Sequence, residues 1–185
     1  MKLKSYSESK YLLEKNKIGL MACDTLWGLV GVLSDQVLER MCVIKNRPKN
    51  QPFIILVDNL RTLKSYTKPL KKWQEACIKS LTPGPITLIL ERSDDLSANL
   101  TANKPTVAIR IPKLEPLQDL LSRLNQPLVS TSANLSGVEN PLEFKSISSK
   151  IIEQVDFVCG EDHLTSGKAS IILDITKEPI RTLRS

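Results

Sequence analysis

Residues 127–137 read Pro127-Leu128-Val129-Ser130-Thr131-Ser132-Ala133-Asn134-Leu135-Ser136-Gly137. An apolar, strand-forming start gives way at once to hydroxyl and amide side chains. A strand that continues through Ser130 and Ser132 sets both hydroxyls on one face, because strand side chains alternate. Asn134 can donate and accept hydrogen bonds, as reading a nucleobase or holding a phosphate requires. Such residues also favour turns for backbone reasons, but the abrupt apolar-to-polar switch favours a buried strand that delivers a functional loop.

The same design recurs outward along the chain. Ser5-Tyr6-Ser7-Glu8 reads as a capping box opening a helix to about residue 16. The apolar run 18–23 predicts a buried strand. Ser34 caps a second helix with Val37, Leu38, Met41 and Ile44 on one face, and Pro48 ends it. Further strands are expected over 53–57, 86–90, 106–111, 127–131, 169–175 and 180–183. Helices are expected over 59–66, 70–80, 117–124 and 147–155, with Pro83-Gly84-Pro85 breaking the chain between two of these elements. Strands and helices interleave, which predicts an α/β (α+β) fold, a mixed β-sheet flanked by helices. No repeat or linker divides residues 1–185, so a single domain is expected.

Composition narrows the function classes. The chain has 185 residues, 41% hydrophobic and 25% charged, which is ordinary globular usage. Aromatics are only 4%, so Leu, Ile and Val must fill the core. A net charge of +6 points to an anionic partner such as a nucleotide or nucleic acid, or simply to a solvated basic surface. Cys23, Cys42, Cys77 and Cys159 form no CxxC pair, and His163 is the one histidine, so no protein-held metal is expected. No leader and no apolar stretch of membrane length is evident, which makes the reducing cytoplasm the expected compartment and excludes a membrane partner.

Three further segments carry candidate chemistry. Asp24-Thr25-Leu26-Trp27-Gly28-Leu29 follows the strand ending at Cys23 and offers a carboxylate and a hydroxyl, although read alone it is an ordinary strand-to-loop exit. Lys45-Asn46-Arg47-Pro48 places a point charge and a planar fork suited to phosphate oxygens two residues apart; in an extended segment the two side chains can converge on one ligand. A solvated basic turn is the alternative. Arg110 interrupts the β-branched strand Val107-Ala108-Ile109-Arg110-Ile111 and requires an anionic partner, either a structural carboxylate or a ligand. Arg181 and Arg184 near the C-terminus pose the same question against plain surface charge. No G-x-G-x-x-G, P-loop or G-x-S-x-G motif is present.

Taken in order, these segments resemble the YrdC/TsaC family, the threonylcarbamoyl-AMP synthases. Asp24-Thr25-x-Trp27-Gly28-Leu29 is similar to the family's P-T-[DE]-x-x-[YFW]-G-[LIV]. Lys45-x-Arg47-Pro48 is similar to K-x-R-P, Pro83-Gly84-Pro85-Ile86-Thr87 to PGPxT, and Val107 to Pro112 to V-A-x-R-x-P. Ser130 to Gly137 reproduces STSANLSG. Ala169-Ser170-Ile171-Ile172-Leu173-Asp174 resembles P-S-T-[IV]-x-D, and Leu183-Arg184 resembles a terminal [LF]-R. Ala22-Cys23 stands where Pro-Thr is usual, and Thr82 where tryptophan is common.

The resemblance implies a twisted mixed sheet around a basic cavity, in the single-domain form, and an enzyme that joins L-threonine, bicarbonate and ATP into threonylcarbamoyl-adenylate. That product serves threonylcarbamoyl modification of the adenosine next to a tRNA anticodon, through downstream threonylcarbamoyl transferase proteins. It also implies ATP or phosphate contacts from Lys45, Arg47, Arg110, Ser130, Ser132, Asn134, Ser170 and Arg184, with Lys45 and Arg47 catalytic. Asp24, Thr25 and Arg110 would bind threonine, and Mg²⁺ would arrive on ATP. Two other readings compete: a non-catalytic module binding tRNA or double-stranded RNA by shape and phosphates, and a domain using another carbamoyl-adenylate. The ordered polar clusters favour the enzyme.

Overall fold

Ser5 opens the first helix as expected. In the computed structural model, which describes residues 3–185, its hydroxyl accepts from the Glu8 N–H while the Glu8 carboxylate accepts from the Ser5 N–H. Helix α1 (Tyr6–Glu14) follows. The strands are β1 (Leu3–Lys4), β2 (Gly19–Ala22), β3 (Trp27–Val32), β4 (Ile54–Leu56), β5 (Ile86–Glu91), β6 (Thr106–Arg110), β7 (Leu128–Ser132), β8 (Phe157–Cys159), β9 (Ile171–Asp174) and β10 (Arg181–Arg184). The remaining helices are α2 (Asp35–Lys45), α3 (Leu60–Lys64), α4 (Lys72–Leu81), α5 (Ala98–Thr101), α6 (Glu115–Leu124) and α7 (Ser149–Ile152).

All strands join one sheet in the order β1-β8-β2-β3-β7-β4-β6-β5-β9-β10. Its centre alternates direction: β7 is antiparallel to both β3 and β4, β4 is parallel to β6, and β6 is antiparallel to β5. The expected mixed sheet flanked by helices is therefore observed, with the twist that L-residues impose. Leu13 of α1, Leu38 and Met41 of α2, Ile78 of α4 and Leu117 and Leu121 of α6 pack into one core with strand residues such as Ile55, Leu88 and Ile109. Each such side chain, fully buried, contributes roughly 1.5–3 kcal/mol.

Three expectations change. The segment after Asp24 is not merely a loop: Trp27 begins β3, whose residues pair with β2 as a hairpin and with β7. Glycines hide this strand from its pattern, yet tertiary crowding requires one of them. A Cβ on Gly31 would lie 2.6 Å from Val37 Cγ1. The last helix is shorter than 147–155, and the apolar 157–159 segment beyond it, for which no element was expected, forms β8 between β1 and β2. Finally, Lys45 and Arg47 do not lie on an extended segment. Lys45 ends α2, and Asn46 caps that helix in the left-handed region (φ 49°). Among the described residues no helix is long and apolar enough to cross a membrane.

Candidate active site

Alternation along the central strands gives the sheet two unlike faces. Ile55, Leu88, Leu90, Val107 and Ile109 point into the core. Their neighbours Ile54, Leu56, Thr87, Ile89, Ala108 and Arg110 point the other way and line a cavity of about 390 Å³. Ser130 and Ser132 of β7, Gly28 of β3 and Ile172 of β9 extend the same wall. The expectation that Ser130 and Ser132 share a face therefore holds. Gly28 keeps the wall open, since a Cβ there would meet Cys23 Sγ at 3.1 Å and Ser130 Oγ at 3.2 Å.

The charged lining consists of Arg47, Lys104, Arg110 and Arg184, with no acidic side chain among the lining residues. Arg110 is buried at the end of β6. It donates to Thr25 Oγ1 (2.5 Å), to the Cys23 carbonyl (2.8 Å) and to Asp24 Oδ1 (2.5 Å). Asp24 holds this post from a left-handed backbone (φ 50°), and its other carboxylate oxygen accepts from the Lys113 N–H (2.9 Å). The structural carboxylate and the ligand reading of Arg110 are thus both open to it: Asp24 neutralises it, while its Nε remains buried without a partner. A buried, unpaired guanidinium N–H beside a cavity is a ready donor to an incoming oxygen.

Arg47 donates to Thr131 Oγ1 (3.0 Å) and to the Pro52 carbonyl (2.6 Å), stacks over Phe53, and likewise keeps a buried, unpartnered Nε. Arg184 donates to Ser170 O (2.9 Å) and Ser170 Oγ (3.0 Å), and Ser170 in turn bonds Thr87 Oγ1 (2.8 Å). Burial first, and then the charge of Arg110, lower the Arg184 guanidinium below its ordinary value. Arg184 is therefore a fixed part of the wall, whereas Arg181 is outside the lining.

Lys45 and Asn134 are brought together, but beside the cavity rather than in its lining. Lys45, 3% exposed as a residue, donates from its ammonium to Ser132 O (2.5 Å), Asn134 O (2.7 Å) and Asn134 Oδ1 (2.9 Å). All three of its donors are occupied. Burial first and the neighbouring Arg47 charge second push it down to about 8. Asn134 completes the knot by accepting from Ser132 Oγ (2.5 Å) and donating to Val138 O (2.5 Å). This knot shapes the end of β7.

Cys23 occupies the cavity wall with its thiol pushed up to about 12, chiefly by burial. The four cysteines are all free. Lys104 and Asn140, also in the lining, carry no motif; the only signal for Lys104 is its place in the turn entering β6. His163 is exposed beside Glu161, away from the cavity lining.

A mixed sheet with one face packed against the helical core and the other lined by arginines and hydroxyls defines an α/β domain with a basic cavity on its open face. Comparison with known proteins supplies the family. The Sua5/YciO/YrdC family model, described as telomere recombination, matches residues 11–185, and the chain belongs to that family. It is 31% identical over 91% of its length to a putative threonylcarbamoyl-AMP synthase of Methanocaldococcus jannaschii, covering 79% of that protein. It is 26% identical over 93% of its length to the threonylcarbamoyl-AMP synthase of Pyrococcus abyssi, covering 51% of it. The solved structure of P. abyssi Sua5 complexed with L-threonine superposes with a TM-score of 0.88 at 26% identity, over 97% of this chain and 53% of that one. The chain thus spans about half the length of the P. abyssi relative.

Proposed function

We propose that this chain is a threonylcarbamoyl-AMP synthase, a nucleotidyltransferase that converts L-threonine, bicarbonate and ATP into threonylcarbamoyl-adenylate, pyrophosphate and water. The observation that carries the reading is the cavity itself. Arg47, Arg110 and Arg184 converge there with Ser130, Ser132 and Ser170, and no carboxylate lines it. The names of the relatives support the reaction, and the L-threonine complex of P. abyssi Sua5 supports the amino-acid substrate.

Threonine carbamate is a weak nucleophile facing an anionic triphosphate, so the site must neutralise charge and align the carbamate oxygen with the α-phosphorus. Arg47 and Arg184 hold phosphate oxygens. Ser130 and Ser132 contact nucleotide or carbamate from β7, and Ser170 closes the far wall. Arg110 receives a carboxylate or carbamate oxygen on its free Nε, with Thr25 and Asp24 bordering the threonine side. Lys45 acts through the β7 end that it and Asn134 knot together. Attack on the α-phosphorus forms the new P–O bond as the bond to pyrophosphate breaks. The amine proton is lost earlier, when the amine condenses with bicarbonate. The donor set of the lining, hydroxyls and cations, does not suit a protein-held Mg²⁺, which stays on the ATP phosphates with its waters. A reducing cytoplasm and transfer of the product to tRNA by partner proteins complete the reading. Direct contact with tRNA or double-stranded RNA is available to a basic protein.

The test is to mix protein, ATP, bicarbonate and threonine and to measure pyrophosphate and a threonylcarbamoyl nucleotide. Threonine-dependent formation of both is expected. ATP binding without any threonine-dependent product overturns the reading. Arg47→Ala is expected to lower turnover by roughly 100-fold in a folded protein, and full activity would remove Arg47 from the phosphate site.

A further inference from the structure

We infer that Lys104 binds the terminal phosphates of the nucleotide, and thus the pyrophosphate that leaves; this rests on the ATP-dependent reading above. The other cations of the lining are already engaged by protein oxygens: Arg47 with Thr131 and Pro52, Arg110 with Cys23, Asp24 and Thr25, Arg184 with Ser170. Lys104 is the exception. Among the described residues its ammonium makes no hydrogen bond or ion pair. It is a whole charge with three donors uncommitted, in a cavity with no acidic lining residue to receive them.

Strand register places it with Arg47. β4 and β6 run parallel, with Ile54 opposite Ala108 and Leu56 opposite Arg110. Pro52, whose carbonyl anchors Arg47, precedes Ile54, and Lys104 precedes Ala108. Arg47 and Lys104 therefore stand at the N-terminal end of this strand pair, and the Arg110 backbone stands at the C-terminal end. Two cations at one end suit the densest negative charge of the substrate, its β- and γ-phosphates.

The backbone that presents Lys104 is held on both sides. Ala102 and Asn103 take consecutive left-handed conformations (φ 53° and 61°) after α5. Asn103 N–H donates to Ala98 O (3.0 Å) and Lys104 N–H to Thr101 O (3.1 Å), while Pro105 O accepts from the Arg92 N–H (3.0 Å). The stem is free and its root is not, which suits a group that must follow a phosphate as it departs.

The experiment measures binding of ATP, AMP and inorganic pyrophosphate by calorimetry to the full chain, to Lys104→Ala, to Lys104→Arg and to Lys79→Ala, an exposed lysine on α4 that controls for net charge. Lys104→Ala is expected to weaken ATP and pyrophosphate about tenfold, the scale of one hydrogen bond to a charged group, and to leave AMP unchanged. Lys104→Arg should retain most of the affinity, and Lys79→Ala should match the parent. Unchanged ATP and pyrophosphate binding in Lys104→Ala, or equal weakening of AMP, overturns the assignment while leaving the proposed reaction standing. A parent protein that binds neither ATP nor pyrophosphate overturns both.

Discussion

Arg110 illustrates how a single side chain is both structure and site. It is 4% exposed, and its partner Asp24 is fixed from behind by the Lys113 N–H. Removing one member strands the other charge, so Arg110→Ala is expected to destabilise the fold by about 3–5 kcal/mol, read as a lowered urea midpoint. Asp24→Ala with Arg110→Ala should cost less than the sum of the two single changes, and strict additivity would show that the pair is not coupled. Lys45 makes a different prediction. Its ammonium is depressed from 10.5 to about 8, so between those values the unfolded chain keeps a proton that the folded chain has released. Stability contributed by this group therefore rises with pH across that window. The neutral amine has fewer donors for its three acceptors, so the β7 end loosens and turnover falls as pH passes about 8. Turnover and urea midpoints measured together, in the parent and in Lys45→Met, check both signs; a parent turnover that is flat across the window rules out the role of Lys45.

Among the elements, the β2–β8 pair shows what close approach demands. Gly19 lies opposite Phe157, and a Cβ on Gly19 would sit 2.3 Å from the Phe157 ring. Phe157 is 1% exposed and packed in the core, so little space is open to the ring. Gly19→Ala is expected to cost about 1–3 kcal/mol by overpacking, a loss that equilibrium unfolding would register. An unchanged midpoint would show that β8 can shift. The capping box of α1, the apolar face of α2 and the buried character of β4 to β7 were legible from local pattern, because caps and alternation act over a few residues. β3 and β8 were not: the first carries Gly28 and Gly31, and the second is a brief apolar segment just after a helix, without the longer apolar run that marks β4. Their pairing partners, not their own propensities, make them strands.

Across the molecule, the cavity joins Thr25 on the β2–β3 turn to Ser170 and Arg184 at the far edge of the sheet. A ligand gripping both holds most of the sheet, so binding should stabilise the fold as a unit. ATP at 100 times its dissociation constant is expected to add about 2.7 kcal/mol to unfolding, a shift readable in urea titrations, and its absence would disprove nucleotide binding in this cavity. The shared face of Ser130 and Ser132 was readable from strand alternation, and Asp24 and Arg110 stood out by residue type, whereas Ser170 is marked only by resemblance to the family motif. Three facts required the assembled fold. Lys45 spends its donors on the β7 end rather than on the cavity, Asp24 neutralises Arg110, and Lys104 lines the same cavity as Arg47 without a hydrogen-bond or ion-pair partner of its own among the described residues. Each depends on which strands become neighbours and on which oxygen reaches a cation first, and those contacts link residues far apart in the chain.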